Sequence, residues 1–110
     1  WVKAALTKDV SDDSIQQLNI NGCKVALYRC GEEYFATSDV CTHAYALLSD
    51  GWLDGYEIEC PLHGARFDVR TGAALTSPAE TALATYPVRV AGDAVEIDVT
   101  SAPSNPDAST

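Results

Sequence analysis

Two short segments bring together residue types that bind transition metals. Cys41 and His43 lie two positions apart, and Cys60 and His63 follow after an intervening stretch of sixteen residues. These pairs use both histidines of the chain, and thiolate sulfur with neutral imidazole nitrogen is a ligand set for zinc or for an iron–sulfur centre. An extended loop places Cys41 and His43 on the same side, and Pro61 fixes φ in the second loop. We therefore expect two facing loops that clamp a metal centre.

The order of the ligands favours an iron–sulfur cluster over zinc. Structural zinc sites usually take a cysteine pair followed by a histidine pair, whereas here each loop joins unlike ligands in the order Cys, His, Cys, His. A [2Fe–2S] centre in which one iron has two sulfur ligands and the other has two nitrogen ligands needs this composition. A zinc site is the main alternative. A cysteine–histidine catalytic pair is a third interpretation, but it would leave the second pair without a purpose.

At these residues the chain resembles the Rieske ferredoxins, and the segment Cys41 to Gly72 is particularly similar to the soluble ferredoxins of bacterial aromatic-ring-hydroxylating dioxygenase systems. The resemblance implies a Rieske [2Fe–2S] cluster as cofactor. Cys41 and Cys60 would then hold the iron that stays ferric, while His43 and His63 hold the outer iron, which takes up the electron. The resemblance also implies a Rieske-like, all-β fold, an antiparallel β sandwich with a small cluster-binding β subdomain.

The same resemblance assigns an environment to the cluster. Gly64 stands where a side chain would crowd it, and Pro78 lies in the loop that covers its third side. Tyr45 is the expected docking contact within an apolar collar around the two histidines. The collar consists of Ala44, Tyr45, Ala46, Leu47, Leu62 and Pro78. Such a rim suits fast docking and release at a small interface.

Hydroxyl groups that respiratory Rieske proteins carry beside the cluster are missing here. Those proteins are similar to this chain but have serine and tyrosine after the second ligand pair, and two further cysteines that join the ligand loops. The matching residues in this chain are Ala65, Phe67, Ala46 and Leu62. Hydrogen bonds to the cluster sulfurs are one control of the potential, which spans about −150 to +300 mV in Rieske centres. Without these donors the added electron is less stabilised, and we expect a potential near the low end.

Length and composition restrict the function to electron transfer. The chain has 110 residues, enough for one domain. We assign residues 1–100 to this domain, with the cluster-binding subdomain at about 38–72 and a disordered tail at 101–110. There is no room for the second domain of a Rieske oxygenase, and a 2-His-1-carboxylate iron site would need histidines that are already used. The chain would therefore carry electrons and not activate oxygen.

Charge and hydropathy bear on location and partners. No apolar run reaches the roughly eighteen residues of a membrane span, and no signal peptide opens the chain, which favours a soluble, cytoplasmic protein. The net charge is −9. An acidic surface disfavours binding to nucleic acid or to a membrane, and it favours a partner with a basic docking patch.

Short strands separated by turns fill the chain. The predicted strands are Val2–Leu6, Ile15–Ile20, Cys23–Cys30, Tyr34–Thr37, Trp52–Leu53, Tyr56–Glu59, Arg66–Val69, Tyr86–Val90 and Ala94–Val99. Their apolar positions predict a core of Val25, Leu27, Tyr34, Phe35, Val88, Val90, Val95 and Ile97. Trp52 is expected to pack beneath the ligand loops. Cys23 and Cys30 are too far apart along one strand to form a disulfide, and both are expected to be reduced thiols.

Three functional hypotheses follow. The first is a one-electron carrier that passes electrons from a flavin-containing NAD(P)H–ferredoxin reductase to a terminal Rieske oxygenase. The second is a Rieske-type small subunit of another multicomponent enzyme, such as a nitrite reductase or a diiron monooxygenase. The third is a zinc-stapled interaction domain, which would be colourless.

Overall fold

Antiparallel strands make up most of the regular structure. The computed structural model describes residues 1–41, 46–61, 64–76 and 82–99. Within these ranges the strands are β1 (Val2–Leu6), β2 (Ser14–Ile20), β3 (Cys23–Cys30), β4 (Glu33–Ser38), β5 (Trp52–Asp54), β6 (Glu57–Glu59), β7 (Arg66–Asp68), β8 (Thr85–Tyr86), β9 (Val88–Ala91) and β10 (Ala94–Ile97). Single 3-10 turns at Thr7–Asp9 and Leu48–Asp50 are the helical segments of the same ranges. The predicted all-β class is confirmed.

The strands form three sheets in the described part of the chain. Their orders are β1-β10-β9, β2-β3-β4-β8 and β5-β6-β7, and neighbouring strands are antiparallel. We call the first two sheets the base. In the sequence, β5 and β6 of the third sheet lie between the two predicted ligand loops, and β7 follows the second loop. We call the third sheet the lobe.

An apolar core fills the base. Its buried members are Val10, Ile20, Val25, Leu27, Ala36, Val95 and Ile97. Burial alternates along β10 from Val95 to Ile97, because these two residues are fully buried while Glu96 between them is only half-buried. Burying one large apolar side chain stabilises a fold by about 1.5–3 kcal/mol. The base is therefore a stable support on which the lobe is mounted.

The Asn21-Gly22 turn sets the register of the hairpin formed by β2 and β3. Asn21 and Gly22 have positive φ angles of 52° and 85°, as a type I′ turn requires at both central residues. Asn and Gly adopt this conformation most readily. The turn places Ile20 opposite Cys23 and leads the chain into β3, which lies between β2 and β4.

The predicted strand Tyr86–Val90 is wrong as a single element. Tyr86 pairs with Ala36 of β4, whereas Val88–Ala91 pair with β10 in a different sheet. Pro87 lies between the two segments. Because proline has no N–H group to donate to a ladder, the chain changes sheet at this residue.

Half of the predicted core is less buried than expected. Val90 is 50% exposed, because β9 is an edge strand with one face toward solvent, and the prediction for this residue is wrong. Tyr34, Phe35 and Val88 are half-buried. Phe35 packs against the core of the lobe and Tyr34 against that of the base, since successive side chains of a strand point to opposite faces.

The pleat of the lobe divides its residues between two faces. Leu53, Ile58 and Phe67 lie opposite one another across β5, β6 and β7. Ile58 and Phe67 are fully buried, whereas Trp52 is 60% exposed. The prediction that Trp52 packs beneath the ligand loops is therefore wrong, because it neighbours the inward-facing Leu53 and successive side chains alternate sides.

Two further expectations concern location and thiol chemistry. The described residues contain no helix that is long and apolar enough to cross a membrane. Cys23 and Cys30 form no disulfide, as predicted, and neither do the other two cysteines. The tail at 101–110 lies outside the described residues.

Candidate metal centre

The two predicted ligand loops are closed in the same way. The Cys41 N–H donates to the Ala46 carbonyl at 2.9 Å, and the Cys60 N–H donates to the Ala65 carbonyl at 2.7 Å. Each cysteine therefore stands at the start of a loop whose ends are joined by one backbone hydrogen bond. This repeated closure holds both cysteine backbones in equivalent positions within their loops.

Both cysteines lie inside one apolar cluster. Cys41 is 3% exposed and Cys60 is 0% exposed, and the predicted environment residues Ala65 and Phe67 are fully buried with them. The buried members of the cluster are Ala26, Tyr28, Cys30, Cys41, Leu48, Ile58, Cys60, Ala65, Phe67, Val69 and Leu83. The structure thus brings the two predicted sulfur ligands into one water-poor environment.

Several predicted site residues lie outside the described residues. These are the predicted ligands and neighbours His43, Ala44, Tyr45, Leu62, His63 and Pro78. Two members of the predicted apolar collar are described, Ala46 and Leu47, and both are half-buried. Ala46 packs against the cluster that contains the cysteines.

Gly64 adopts a conformation that favours glycine. Its φ is +70°, in the left-handed region. A Cβ atom at Gly64 would meet the Glu59 Oε2 atom at 3.8 Å, an ordinary van der Waals contact. Within the described residues, backbone conformation is thus the reason for a glycine, and crowding of a cluster stays a prediction.

A buried carboxylate holds together the two chain segments that flank the first ligand loop. Asp39 is 0% exposed, and its two side-chain oxygens accept the Ser49 N–H at 2.7 Å and the Ser49 hydroxyl at 2.8 Å. The Asp39 carbonyl accepts the Leu48 N–H at 2.7 Å, and its own N–H donates to the Lys24 carbonyl at 3.0 Å. Asp39 therefore ties both ends of the loop that begins at Cys41 to β3. Asp39 was not among the predicted site residues, although it stands two positions before the predicted ligand Cys41.

Asp39→Ala is expected to lower the free energy of unfolding by about 2–3 kcal/mol, because the Ser49 N–H and hydroxyl lose their acceptors at a buried site. Asp39→Asn keeps one oxygen for the Ser49 N–H and can donate its amide N–H to the Ser49 hydroxyl. The free energy of unfolding of this variant is therefore expected to fall by only about 1 kcal/mol. Urea denaturation of both variants and the wild type measures the difference. Equal losses in the two variants would contradict the assigned hydrogen bonds.

An ion-pair network lies on the strands β6 and β7, which flank the second ligand loop. Arg66 stands opposite Glu59 in the ladder, and its Nη2 atom lies 2.9 Å from Glu59 Oε1. Its Nη1 atom lies 3.3 Å from Glu57 Oε1 and 3.6 Å from Asp54 Oδ2. Hydrogen bonds to Glu57 and Glu59 raise the pKa of Arg66. Exposed ion pairs of this kind stabilise little individually, and the network acts mainly by aligning the strand ends that flank Cys60.

The chain after β7 returns alongside the lobe. The Leu75 N–H donates to the Arg66 carbonyl at 2.8 Å, and the Arg66 N–H donates to the Thr76 hydroxyl oxygen at 2.9 Å. These contacts direct the chain toward the predicted covering loop at Pro78, which itself lies outside the described residues.

Tyr56 joins the lobe to the base. Its hydroxyl donates to Glu33 Oε1 at 2.5 Å, and its ring meets Phe35 edge-on with centroids 5.9 Å apart. The Arg70 guanidinium carbon lies 4.3 Å from the centroid of the Tyr56 ring. A cation–π contact stabilises by about 0.5–1 kcal/mol at an exposed site. The contacts of Tyr56 with Glu33 and Phe35 of β4 thus restrict movement of the lobe on the base, while Arg70 packs on the same ring from the lobe side.

Cys30 lies at the same junction and differs from the predicted ligands. Its thiol donates to the Gly55 carbonyl at 3.2 Å. Burial, reinforced by the carboxylates of Asp13 and Glu33, raises the pKa of Cys30 to about 11. Such a thiol stays protonated near neutral pH. Its hydrogen bond to Gly55, where the lobe meets the base, gives Cys30 a structural role.

The residues present fit an iron–sulfur centre at the two loops. Cys41 and Cys60 supply two buried sulfur atoms, and the apolar cluster around them restricts water. Exclusion of water and control of hydrogen bonding around the sulfurs are what such a centre needs from its protein.

Comparisons with known proteins agree with this interpretation. The Rieske [2Fe-2S] domain family matches residues 1–87. The ferredoxin component of the naphthalene 1,2-dioxygenase/salicylate 5-hydroxylase systems of Ralstonia sp is 46% identical over 90 residues, covering 82% of this chain and 86% of that protein. The ferredoxin component of the naphthalene 1,2-dioxygenase system of Pseudomonas aeruginosa is 42% identical over 99 residues, covering 90% and 95%.

Solved structures share the fold. A chain in the complex of reduced oxygenase and oxidised ferredoxin of carbazole 1,9a-dioxygenase has a TM-score of 0.85 at 40% identity, covering 88% of this chain and 91% of that chain. Sphingomonas yanoikuyae B1 ferredoxin has a TM-score of 0.84 at 37% identity, covering 88% and 96%. The fold and the paired cysteine loops define an iron–sulfur protein, and its relatives are ferredoxin components, the electron carriers of multicomponent oxygenase systems. The chain belongs to the Rieske [2Fe–2S] family, and its cofactor is a Rieske-type [2Fe–2S] cluster.

Proposed function

We propose that this chain is the ferredoxin of an aromatic-ring-hydroxylating dioxygenase system, where it takes single electrons from a flavin-containing NAD(P)H–ferredoxin reductase and passes them to a terminal Rieske oxygenase. The observation that carries the proposal is the pair of buried cysteines at the start of two identically closed loops. Relatives that are ferredoxin components of naphthalene dioxygenase systems support it, as does the carbazole ferredoxin–oxygenase complex.

Four side chains would hold the cluster. Cys41 and Cys60 are proposed as ligands of one iron, and His43 and His63 as ligands of the other. When bound, the cluster supplies a one-electron redox couple. The chain keeps water from the sulfurs by burying both cysteines, and Asp39 anchors the first loop.

Residues beside the ligands are proposed to contact partners or to cover the cluster. Tyr45 and Leu62 would belong to the docking rim, and Pro78 would cover the third side. Gly64 is exposed and would let a partner approach the second loop closely. A cytoplasmic location is also part of the proposal.

The reduction potential is expected to rise when hydroxyls are placed beside the cluster. Ala65 and Phe67 are both 0% exposed and carry no hydrogen-bond donor in their side chains. The double variant Ala65→Ser and Phe67→Tyr adds two hydroxyls, which can stabilise the added electron on the sulfurs. Its potential should move up from the low end of the range of about −150 to +300 mV. A redox titration followed by visible absorption and electron paramagnetic resonance measures the shift.

The control for this variant is Ala36→Ser, which adds a hydroxyl to another buried alanine in the core of the base. Its potential should equal that of the wild type. A double variant that keeps the wild-type potential would contradict the account of the missing donors.

Reconstitution of electron transfer tests the function itself. With NAD(P)H and the flavin reductase of a naphthalene 1,2-dioxygenase system, the wild-type protein is expected to replace that system's ferredoxin and to support hydroxylation by its oxygenase. Failure to pass electrons to the oxygenases of the naphthalene and carbazole systems would contradict the proposal. Firm co-purification with a large catalytic subunit would contradict a mobile carrier and favour the small-subunit alternative.

A further inference from the structure

One face of the lobe is polar and open to solvent in part, with two of its six residues exposed and the other four half-buried. Alternate residues of β5, β6 and β7 form this face, because the strands are pleated and antiparallel. Its members are Trp52, Asp54, Glu57, Glu59, Arg66 and Asp68. We call it the outer face of the lobe. The opposite face carries Leu53, Ile58 and Phe67, which pack into the core.

The outer face is acidic. Its four carboxylates are balanced by two guanidinium groups, Arg66 within the face and Arg70, which pairs with Asp68 at 2.9 Å. Four negative and two positive charges leave a net charge of −2. The other cations of the chain lie in the base and are Lys3, Lys8, Lys24, Arg29 and Arg89. The outer face therefore presents a negative potential to a partner, and no lysine of the chain lies in the lobe to offset it.

A large aromatic side chain stands within this acidic surface. Trp52 lies opposite Glu59 in the ladder and is 60% exposed. An exposed indole gains burial energy only when another molecule covers it. Tryptophan is also among the residues most enriched at the energetic centres of protein interfaces, where less critical polar contacts surround it. The carboxylates of Asp54, Glu57 and Glu59 supply such a polar rim.

The outer face borders the second ligand loop. Glu59 directly precedes Cys60, and its Oε2 atom lies 3.8 Å from the position that a Cβ atom of Gly64 would take. Gly64 and Pro61 are exposed in the same loop. The outer face therefore adjoins the loop that a redox partner would have to approach.

We propose that the outer face of the lobe, centred on Trp52, is a docking surface for the terminal oxygenase, which would present basic side chains around a shallow apolar pocket. The proposal rests on the proposed function. Trp52 anchors the complex by inserting its indole, while the carboxylates select a basic partner and accelerate encounter. Electron exit then takes place beside this anchor, through the neighbouring ligand loop.

Binding of tryptophan variants to an oxygenase tests this surface. The probe is the terminal oxygenase of a naphthalene 1,2-dioxygenase system, with that of the carbazole system as a second probe, titrated with oxidised ferredoxin. Trp52→Ala is expected to raise Kd about thirtyfold, the loss typical of an interface anchor. Its visible spectrum should remain that of the wild type, because the side chain is exposed. The paired variant Asp54→Asn and Glu57→Gln should flatten the dependence of Kd on salt.

Trp1→Ala is the matched control. Trp1 is 51% exposed and contacts Arg89 at the base, with 4.3 Å between the guanidinium carbon and the ring. Trp1→Ala is the same substitution at a position distant in sequence from both ligand loops. The Kd of this variant should stay within about twofold of that of the wild type.

The outcomes separate the two proposals. If the wild type binds an oxygenase but Trp52→Ala binds as tightly as Trp1→Ala, the docking surface is overturned and the carrier function stands. Wild-type protein that binds neither oxygenase contradicts the proposed function and the surface with it. A thirtyfold loss confined to Trp52→Ala, with an unchanged spectrum, supports the surface.

Discussion

Cys60→Ala is expected to abolish cluster binding. Cys60 is 0% exposed and begins a loop closed by its own N–H, and residues 60–65 contain no second cysteine that could replace its sulfur. With one sulfur ligand gone, the purified variant should be colourless and contain little iron, whereas the wild type should be coloured. Iron analysis and visible absorption measure the loss. Because removal of a metal centre also removes its contribution to folding, the free energy of unfolding should fall as well.

Cys30→Ala is the matched control for this prediction. Cys30 is 8% exposed and belongs to the same apolar cluster as Cys60, but its thiol donates to the Gly55 carbonyl. Loss of that hydrogen bond and of one sulfur atom should cost about 1–2 kcal/mol while the iron content stays that of the wild type. Colour retained in Cys60→Ala, or lost equally in both variants, would contradict the ligand assignment.

Gly51→Ala is expected to lower the free energy of unfolding by about 3 kcal/mol or more. A Cβ atom at Gly51 would lie 2.0 Å from the Glu59 carbonyl oxygen and 3.2 Å from the Leu48 carbonyl oxygen. Both contacts are with backbone, which cannot rotate away as a flexible side chain can, so that the strands must separate. Glu59 directly precedes Cys60, and the half-life of the visible absorption should shorten together with the stability. Urea denaturation and the decay of the absorption measure the two effects.

Gly31→Ala separates steric conflict from backbone strain. Gly31 has a φ of +66°, but nothing lies within 4 Å of its Cβ position. A left-handed backbone destabilises an alanine by about 1–2 kcal/mol. At Gly51 the φ angle is −91°, which suits alanine, so that the loss of stability there comes from the steric conflict and should be larger. A smaller effect at Gly51 than at Gly31 would contradict the close approach of the two strands. If the visible absorption of Gly51→Ala decays with the half-life of the wild type, the contact between Gly51 and Glu59 does not stabilise the second ligand loop.

Local patterns predicted much of the fold. The strand from Val2 to Leu6 and the strand from Cys23 to Cys30 have the predicted bounds, and the Asn21-Gly22 turn joins β2 and β3 as expected. These elements depend on residues that are neighbours in the chain, on strand alternation and on the left-handed conformations that Asn and Gly accept. A reader of the sequence can therefore find them without knowing how the sheets pack.

Other features depend on contacts that local patterns do not encode. Trp52 and Val90 have apolar side chains and were predicted to be buried, but both are half exposed or more because their strand faces are not covered. Asp39 was missed because its hydrogen-bond partner Ser49 is ten residues away on the other side of a ligand loop. The separation of Tyr86 from Val90 depends on which sheet each side of Pro87 can join.

The sequence by itself determined the paired Cys–His segments and the short alternating strands, and its resemblance to the Rieske ferredoxins indicated the all-β fold and the electron-carrier function. Ligand order and strand alternation depend on short stretches of residues, which is why they can be found without the tertiary structure. Only the tertiary structure decided that Asp39 anchors the first loop, that Gly51 lies against Glu59, and that Trp52 faces solvent. The physical reason is that each of these depends on atoms from separate segments meeting in space, and strand packing sets those distances after local structure has formed.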